Sequence, residues 1–230
     1  MPEDVSAFHL LLTADPMLLA IVRLSLIVSL SAVLFAAMIG VPAGAALALI
    51  RFSGRECLIV VLNAMMGLPP VVVGLGVFLA LSRSGPLGSL GLLFTPQAMI
   101  IAQTILVAPI IAALSRQTIE DLWAEYRDEL TAMNVGPARR VATLVWDARF
   151  SLVTALLAGF GRAVGEVGAI IIVGGNIESY TRTMTTAIAL ETSRGDLPLA
   201  IGLGMVLICI AISINALAWG VRRASERYAG

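Results

Sequence analysis

The chain has 230 residues, of which 59% are hydrophobic and 13% are charged, and its formal net charge at pH 7 is zero. Soluble domains carry about 25% charged residues, so this composition excludes an ordinary soluble domain, and without a basic excess nothing indicates nucleic-acid binding. The mean hydropathy of +0.96 predicts an all-α integral membrane protein, because runs of about 20 apolar residues can cross a bilayer as helices.

Five apolar segments follow in chain order and predict about five transmembrane helices in a single domain spanning residues 1–230. They cover residues 17–50, 57–82, 96–115, 152–175 and 198–221. Pro42 lies inside the first segment, where we expect a kink rather than a helix end. Pro69 and Pro70 interrupt the second segment, since two adjacent prolines cannot both complete a helical ladder. This segment is either a moving element or a static kink.

The arginines predict the orientation, because cytoplasmic loops of membrane proteins are enriched in Arg and Lys. With the N-terminus outside, the inner loops hold ten arginines and the outer loops hold three. We therefore expect an outside N-terminus, a cytoplasmic C-terminus and a cytoplasmic loop over residues 116–149.

Metal-binding residue types are sparse. Cys57 and Cys209 lie in or beside apolar runs, where we expect small apolar side chains rather than a disulfide or a metal site. The single histidine, His9, has no potential ligand partner near it in the sequence. The sequence thus predicts no metal centre.

The loop over residues 116–149 has a helical pattern of its own. Apolar side chains recur at steps of three and four in its first half: Ile119, Leu122, Trp123, Tyr126, Leu130 and Met133. Gly136 and Pro137 are expected to end this helix, with the glycine at its C-terminus, and a second amphipathic helix follows. The pattern fits a helix on the membrane surface or a helix–turn–helix whose apolar stripe binds a partner's groove. Its acidic residues argue against an anionic inner leaflet as the binding surface.

The fourth apolar segment contains two charges. Gly161, Gly165 and Gly168 would fall on one helical face, a spacing that allows close packing of another helix in lipid. Arg162 and Glu166 are four residues apart, and we expect them to pair because a lone charge in lipid is costly. The pair is a structural ion pair, a pore-lining or gate-forming pair, or a catalytic pair, although no nucleophile or second acid accompanies it.

Two stretches resemble the permease subunits of ABC-type importers. The cytoplasmic loop resembles their EAA loop, with Ala132 at the second alanine, Gly136 at the glycine and Glu129 one place before the expected glutamate. Residues 162–169 read Arg-Ala-Val-Gly-Glu-Val-Gly-Ala and residues 175–176 read Gly-Asn, which is similar to a segment of the molybdate/tungstate branch. The short chain with five spans looks most like the tungstate-type permeases.

The resemblance implies a type I ABC importer-like transmembrane domain, a multi-pass protein of the cytoplasmic (inner) membrane that translocates tungstate or molybdate. It implies a homodimer in membrane lipid, ATP-binding cassette subunits docked on the 116–149 loop, and an extracytoplasmic oxyanion-binding protein. ATP and magnesium would be bound by the partner ATPase subunit and no cofactor by this chain. The residues expected to couple to the ATPase are Glu129, Ala132, Gly136, Arg139 and Arg140. The residues expected at the pathway or gate are Pro69, Pro70, Arg162, Glu166 and Asn176.

Other functional classes remain as alternatives. No P-loop pattern is present, so we expect ATP hydrolysis on a separate subunit and no enzyme activity here. A stand-alone secondary transporter or channel would be expected to show internal repeats and several ionisable residues within its spans, whereas only one acid lies in a predicted span. A membrane enzyme would need catalytic pairs, and a structural scaffold would leave the loop pattern unexplained.

Overall fold

The computed structural model describes residues 15–229, with side chains described as far as Arg223. His9 therefore lies outside the described residues. Within the described part the chain forms nine α-helices and a short 3₁₀-helix, Gly88–Leu90. The helices are α1 (Pro16–Leu49), α2 (Arg55–Met66), α3 (Pro70–Leu81), α4 (Pro96–Ala132), α5 (Pro137–Asp147), α6 (Arg149–Val164), α7 (Gly168–Gly174), α8 (Met184–Arg194) and α9 (Leu197–Ala229).

Three of these helices are long and apolar enough to cross a membrane singly: α1, α4 and α9. Two bent pairs, α2 with α3 and α5 with α6, pass the same criterion when each pair is counted as one span. The described residues thus contain three to five candidate spans. The all-helical class is confirmed, and the predicted number of about five lies within that range.

Helices α1 and α4 form the central pair of the bundle, and two glycines of α1 allow their backbones to approach closely. A Cβ atom built on Gly44 would lie 2.5 Å from the carbonyl oxygen of Ala112, and one built on Gly40 would lie 2.9 Å from that of Ala108. Small residues have this role where helices pack in lipid, because a larger side chain would hold the two backbones apart. Helix α1 continues through Pro42, so this proline does not end the helix, as predicted.

Buried apolar side chains form four groups along the bundle, and α1 takes part in all of them. Leu18 packs against α6, α8 and α9 at one end, and Val28 packs against α3, α4 and α7. Ala36 packs against α4 and α6 near the middle, and Ala48 packs against α4, α5 and α6 at the far end. The position of a side chain along α1 therefore gives its approximate depth in the bundle.

The second predicted span, residues 57–82, consists of two helices rather than one. Helix α2 ends at Met66, α3 begins at Pro70, and the two axes meet at 100°. Pro69 precedes α3 with extended backbone and Pro70 occupies its first turn, where a missing N–H group removes no hydrogen bond. The interruption that the two prolines predicted is present.

The fourth predicted span, residues 152–175, is also interrupted, which was not predicted from the sequence. Helix α6 ends at Val164 and α7 begins at Gly168, so the chain leaves the helical path at Gly165. The expectation that Gly161, Gly165 and Gly168 share one helical face is therefore wrong. A Cβ atom on Gly161 would meet nothing within 4 Å, whereas one on Gly168 would lie 2.9 Å from Cγ2 of Val71.

Candidate functional site

The cytoplasmic loop predicted from the sequence is a helical hairpin, which we define as residues 116–149. Helix α4 does not stop at the predicted membrane boundary near residue 115 but continues to Ala132. The turn follows at once, with Asn134 in the left-handed region at φ 51°, and Val135 N–H donates to the carbonyl of Leu130 over 3.1 Å. The prediction that Gly136 ends the first helix is wrong. Gly136 instead precedes α5, whose first residue is Pro137.

The apolar stripe of the hairpin packs against its own chain. Ile119 is fully buried in a cluster with Ala45 and Ala48 of α1 and Leu144 of α5. The remaining stripe residues up to Leu130 pack against this cluster. The expectation that the stripe binds a partner's groove is therefore wrong. The stripe instead packs the hairpin against the end of α1. The large apolar side chains that it leaves most exposed in the hairpin are Met133, at 74%, and Trp146, at 68%.

Of the five predicted coupling residues, four are exposed around the turn: Glu129, Ala132, Gly136 and Arg139. The fifth, Arg140, is half-buried and has a structural contact. Its Nε donates to the carbonyl of Val135 over 2.6 Å, and its guanidinium lies 5.6 Å from the centre of the Trp123 ring. Arg140 thus connects α5 to the turn and to α4.

An ion network connects the hairpin to the first residue of α2, Arg55, and sequence reasoning missed it. Arg55 Nη2 lies 2.6 Å from Glu120 Oε1, Arg55 Nε donates to the carbonyl of Leu47 over 2.7 Å, and Arg116 pairs with the other oxygen of Glu120. The i, i+4 spacing of Arg116 and Glu120 indicates their pairing, but the contribution of Arg55 depends on the tertiary fold.

Arg162 and Glu166 form the predicted ion pair, but across a helix end rather than within one helix. Arg162 lies in the last turn of α6, and its Nη1 donates to Glu166 Oε2. Glu166 is only 3% exposed, and its Oε1 accepts a hydrogen bond of 3.2 Å from the N–H of Ala169 in α7. The carboxylate therefore binds both the end of α6 and the first turn of α7.

Two side chains from other helices stabilise the interrupted backbone at this position. Gln103 Nε2 of α4 donates to the carbonyl of Ala163 over 2.8 Å, and Thr185 Oγ1 of α8 donates to the carbonyl of Glu166 over 2.8 Å. Carbonyl groups freed by a broken helix need such partners, because water is scarce at membrane depth. Neither contact has a direct signal in the sequence.

Of the other pathway candidates, Pro69 and Pro70 lie near the Arg162–Glu166 pair, and Asn176 lies away from it. The first turn of α3, after Pro69 and Pro70, contacts α7 where Val71 meets Gly168, two residues from Glu166. Asn176 lies beyond the opposite end of α7, where its Nδ2 donates to the carbonyl of Thr186 over 3.4 Å. The structure thus brings the two interruptions together and leaves Asn176 apart from them.

The predicted outer loop after α7 is packed into the bundle. All residues from Thr181 to Ala187 are buried, and the N–H of Met184 donates to Ser25 Oγ of α1 over 2.7 Å. Arg182 pairs with Glu191 over 3.3 Å, and both side chains are at least 90% buried. The concentration of threonines in this stretch was the available sequence signal, because hydroxyl groups can satisfy buried backbone locally.

Residues 40–227 match the family described as the binding-protein-dependent transport system inner membrane component. The chain belongs to this family. Among its relatives is a probable anion ABC transporter permease of Haloferax volcanii, 44% identical over 206 residues, which cover 87% of this chain and 88% of the relative. The tungstate uptake permease TupB of Peptoclostridium acidaminophilum is 38% identical over 94% of this chain and 95% of its own.

The fold agrees with that membership. An inward-facing structure of the MetNI methionine ABC transporter contains a chain that superposes with a TM-score of 0.65 over 92% of this chain and 94% of its own, at 17% identity. The permease family, the type I importer fold and the multi-pass membrane character predicted from the sequence are confirmed. A stand-alone secondary transporter is not favoured by these relationships.

Proposed function

We propose that this chain is the translocating subunit of an ATP-driven importer of a tetrahedral oxyanion, tungstate or molybdate. The observation that supports this most directly is the similarity to permeases named for anion and tungstate transport, which extends over 87% and 94% of the chain. A molybdenum permease of Azotobacter vinelandii is more distant, at 29% identity over 74% of the chain. These relationships favour tungstate over molybdate.

The proposed topology has five crossings with the N-terminus outside and the C-terminus in the cytoplasm. Helices α1, α4 and α9 make one crossing each, and α2 and α3 together make the second. In the fourth crossing α6 is continued by α7, and α5 belongs to the hairpin rather than to the span. The arginine distribution supports this direction. The positions of the elements agree with it, because the start of α1 packs with α8 and the end of α1 packs with the hairpin at the opposite pole of the bundle.

In this proposal the hairpin is the site where a separate ATPase subunit docks. Exposed Glu129, Ala132, Gly136 and Arg139 surround the turn, Met133 supplies apolar surface in the turn, and Trp146 supplies apolar surface at the far end of α5. The partner ATPase would bind ATP and magnesium. Two copies of this chain would enclose one pathway, and an extracytoplasmic binding protein would deliver the anion to it.

The proposed gate lies where α3 and α7 meet. The first turn of α3 at Pro69 and Pro70 would line the pathway together with Arg162, which pairs with the buried Glu166. Asn176 would position α8 rather than contact the anion. Helix α4 connects this region to the motor, because it carries Gln103, which contacts the broken backbone, and Glu129, in the hairpin. A displacement of the hairpin would therefore reach the gate through one continuous helix.

Reconstituted transport tests this proposal. The permease, its ATPase and its binding protein in proteoliposomes should accumulate tungstate with ATP, and accumulation should stop when a non-hydrolysable analogue replaces ATP while the membrane potential is maintained. Uptake that continues on membrane potential alone would contradict the proposal, as would failure of the complete complex to transport either tungstate or molybdate.

A further inference from the structure

We propose that the oxyanion passes the middle of the membrane by taking the place of Glu166 on the Arg162 guanidinium. The proposal rests on the proposed function and specifies the group that contacts the anion in transit. Arg162 would bind the anion, and Glu166 would be the resident carboxylate that the anion displaces and that later displaces the anion.

The exposure of Arg162 supports the first step of this exchange, in which the anion binds the guanidinium. Its side chain is 36% exposed, and the neighbouring exposed positions on the same side of α6 and its end are Ala158, Gly161 and Gly165. A Cβ atom on Gly161 would meet nothing within 4 Å. The exposed positions beside Arg162 on its own helix are therefore small residues, which leave room for a small anion beside the guanidinium.

The depth of Arg162 indicates what this surface contacts. The next residue, Ala163, packs with Val33 and Ala36, near the middle of the 34-residue helix α1. A cation at that depth is costly against hydrocarbon, so such residues face a water-filled route or another protein surface. A guanidinium also presents five N–H donors in a planar fork that matches the oxygens of an oxyanion.

The contacts of Glu166 support the second step, in which the carboxylate leaves Arg162 and later returns to it. Besides Arg162, its carboxylate accepts the N–H of Ala169 in the first turn of α7. When an anion binds Arg162, the carboxylate keeps this hydrogen bond, which lowers the cost of losing its cationic partner. An arginine with neither partner would be an unpaired charge at membrane depth, so exchange is favoured over simple release.

The surrounding backbone permits the exchange without a rearrangement of helices. Gln103 binds the carbonyl of Ala163 and Thr185 binds that of Glu166, so both sides of the interruption are held by other helices. The movement required is confined to two side chains. If two copies enclose the pathway, two Arg162 side chains would also match the two negative charges of a tetrahedral dianion.

The decisive variant is the double change Arg162→Gln with Glu166→Gln in the reconstituted complex. Both replacements are neutral and similar in length to the native side chains, and the amide oxygen introduced by Glu166→Gln would still accept the N–H of Ala169. We expect tungstate transported per ATP hydrolysed to fall by about tenfold, equivalent to roughly 1.4 kcal/mol of lost transition-state stabilisation. ATP hydrolysis stimulated by the loaded binding protein should persist, because the hairpin is unchanged.

A second ion pair in the same chain, buried at both ends, provides the control. The double change Arg182→Gln with Glu191→Gln neutralises this pair, whose further partners are Glu178 and Arg194, and it should leave the tungstate-to-ATP ratio at the wild-type value. A purely structural role for Arg162 and Glu166 predicts the same result for both double variants. An unchanged ratio in the Arg162/Glu166 variant would overturn the exchange.

If the double variant does not assemble, the single change Glu166→Gln tests the exchange. Glu166→Gln keeps Arg162 but removes the carboxylate that displaces the anion, so transport per ATP should fall by about tenfold through slow release. A wild-type ratio in this variant would also overturn the exchange. If the wild-type complex itself transports no oxyanion, the proposed function fails. If the wild-type complex transports the anion and both variants keep the wild-type ratio, the exchange is rejected while the proposed function stands.

Discussion

Gly74 lies at a close approach of α3 and α7, since a Cβ atom there would lie 2.8 Å from the Cα of Ala169. The neighbouring atoms belong to the backbone, which cannot move aside as a flexible side chain can. We expect Gly74→Ala to lower the free energy of unfolding by about 1–3 kcal/mol through overpacking. The midpoint of thermal unfolding of the purified protein in detergent measures this effect.

Gly76 in the same helix provides the control, because a Cβ atom there would meet nothing within 4 Å. Gly76→Ala should leave the unfolding midpoint unchanged or raise it slightly, since alanine is favoured over glycine inside helices by about 0.5–1 kcal/mol. Equal destabilisation by the two substitutions would show that the contact between α3 and α7 is not as close as described.

The pairing of Arg162 and Glu166 was predictable from the sequence, and their geometry was not. The cost of a lone charge in lipid and a spacing of four residues were sufficient to predict the pair. The same spacing is compatible with a continuous helix and with a break after one turn, and the glycines occur in both. The interruption at Gly165 depends on side chains from two distant helices, Gln103 and Thr185, which no local pattern reveals.

At the scale of elements, the hairpin depends on Arg140 for its shape. Arg140→Gln removes the hydrogen bond to the carbonyl of Val135 and the contact with Trp123, so α5 should be less firmly oriented on α4. A loss of about 1 kcal/mol, typical of one such hydrogen bond, should weaken binding of the ATPase subunit roughly fivefold. Titration of the permease with the isolated ATPase in detergent measures the affinity.

Arg139→Gln is the matched control for the hairpin, because Arg139 is the exposed neighbour of Arg140 on the same helix. If pre-organisation of the turn determines affinity, the change at Arg140 should also lower the thermal stability of the permease alone, and the change at Arg139 should not. A larger loss of affinity from Arg139→Gln, with stability unchanged in both, would contradict the positioning role of Arg140.

The helical pattern of the hairpin predicted its elements but not what they contact. An amphipathic stripe indicates that one face is buried, and the sequence alone does not distinguish burial against a partner from burial against the same chain. The end of α1, together with α5 and the start of α6, covers the stripe from Ile119 to Leu130. Likewise, the stretch from Thr181 to Ala187 lies between the fourth and fifth predicted spans, and the spans gave no indication that it is buried with its hydroxyl groups bonded to backbone groups.

At the scale of the whole molecule, α1 and α4 form a stiff unit that connects the hairpin to the interrupted helices. The close contact at Gly44 opposes sliding of one helix along the other, and α4 continues for 37 residues without a break. Helices α3 and α7, which border the interruptions, lie against this unit. They have only 12 and 7 residues, so fewer backbone hydrogen bonds run along each of them than along α1 or α4. Movement driven from the hairpin should therefore be concentrated at α3 and α7 rather than within α1 and α4.

The central claim is that the hairpin lies in the cytoplasm, and cysteine labelling in intact cells tests it most directly. Cys57 and Cys209 are both exposed free cysteines, so they would first be replaced by serine. Arg139→Cys should then resist a membrane-impermeant maleimide until the membrane is permeabilised, while Ser89→Cys, in the proposed outer loop, should react in intact cells. Labelling of residue 139 in sealed cells, with residue 89 protected, would contradict the account.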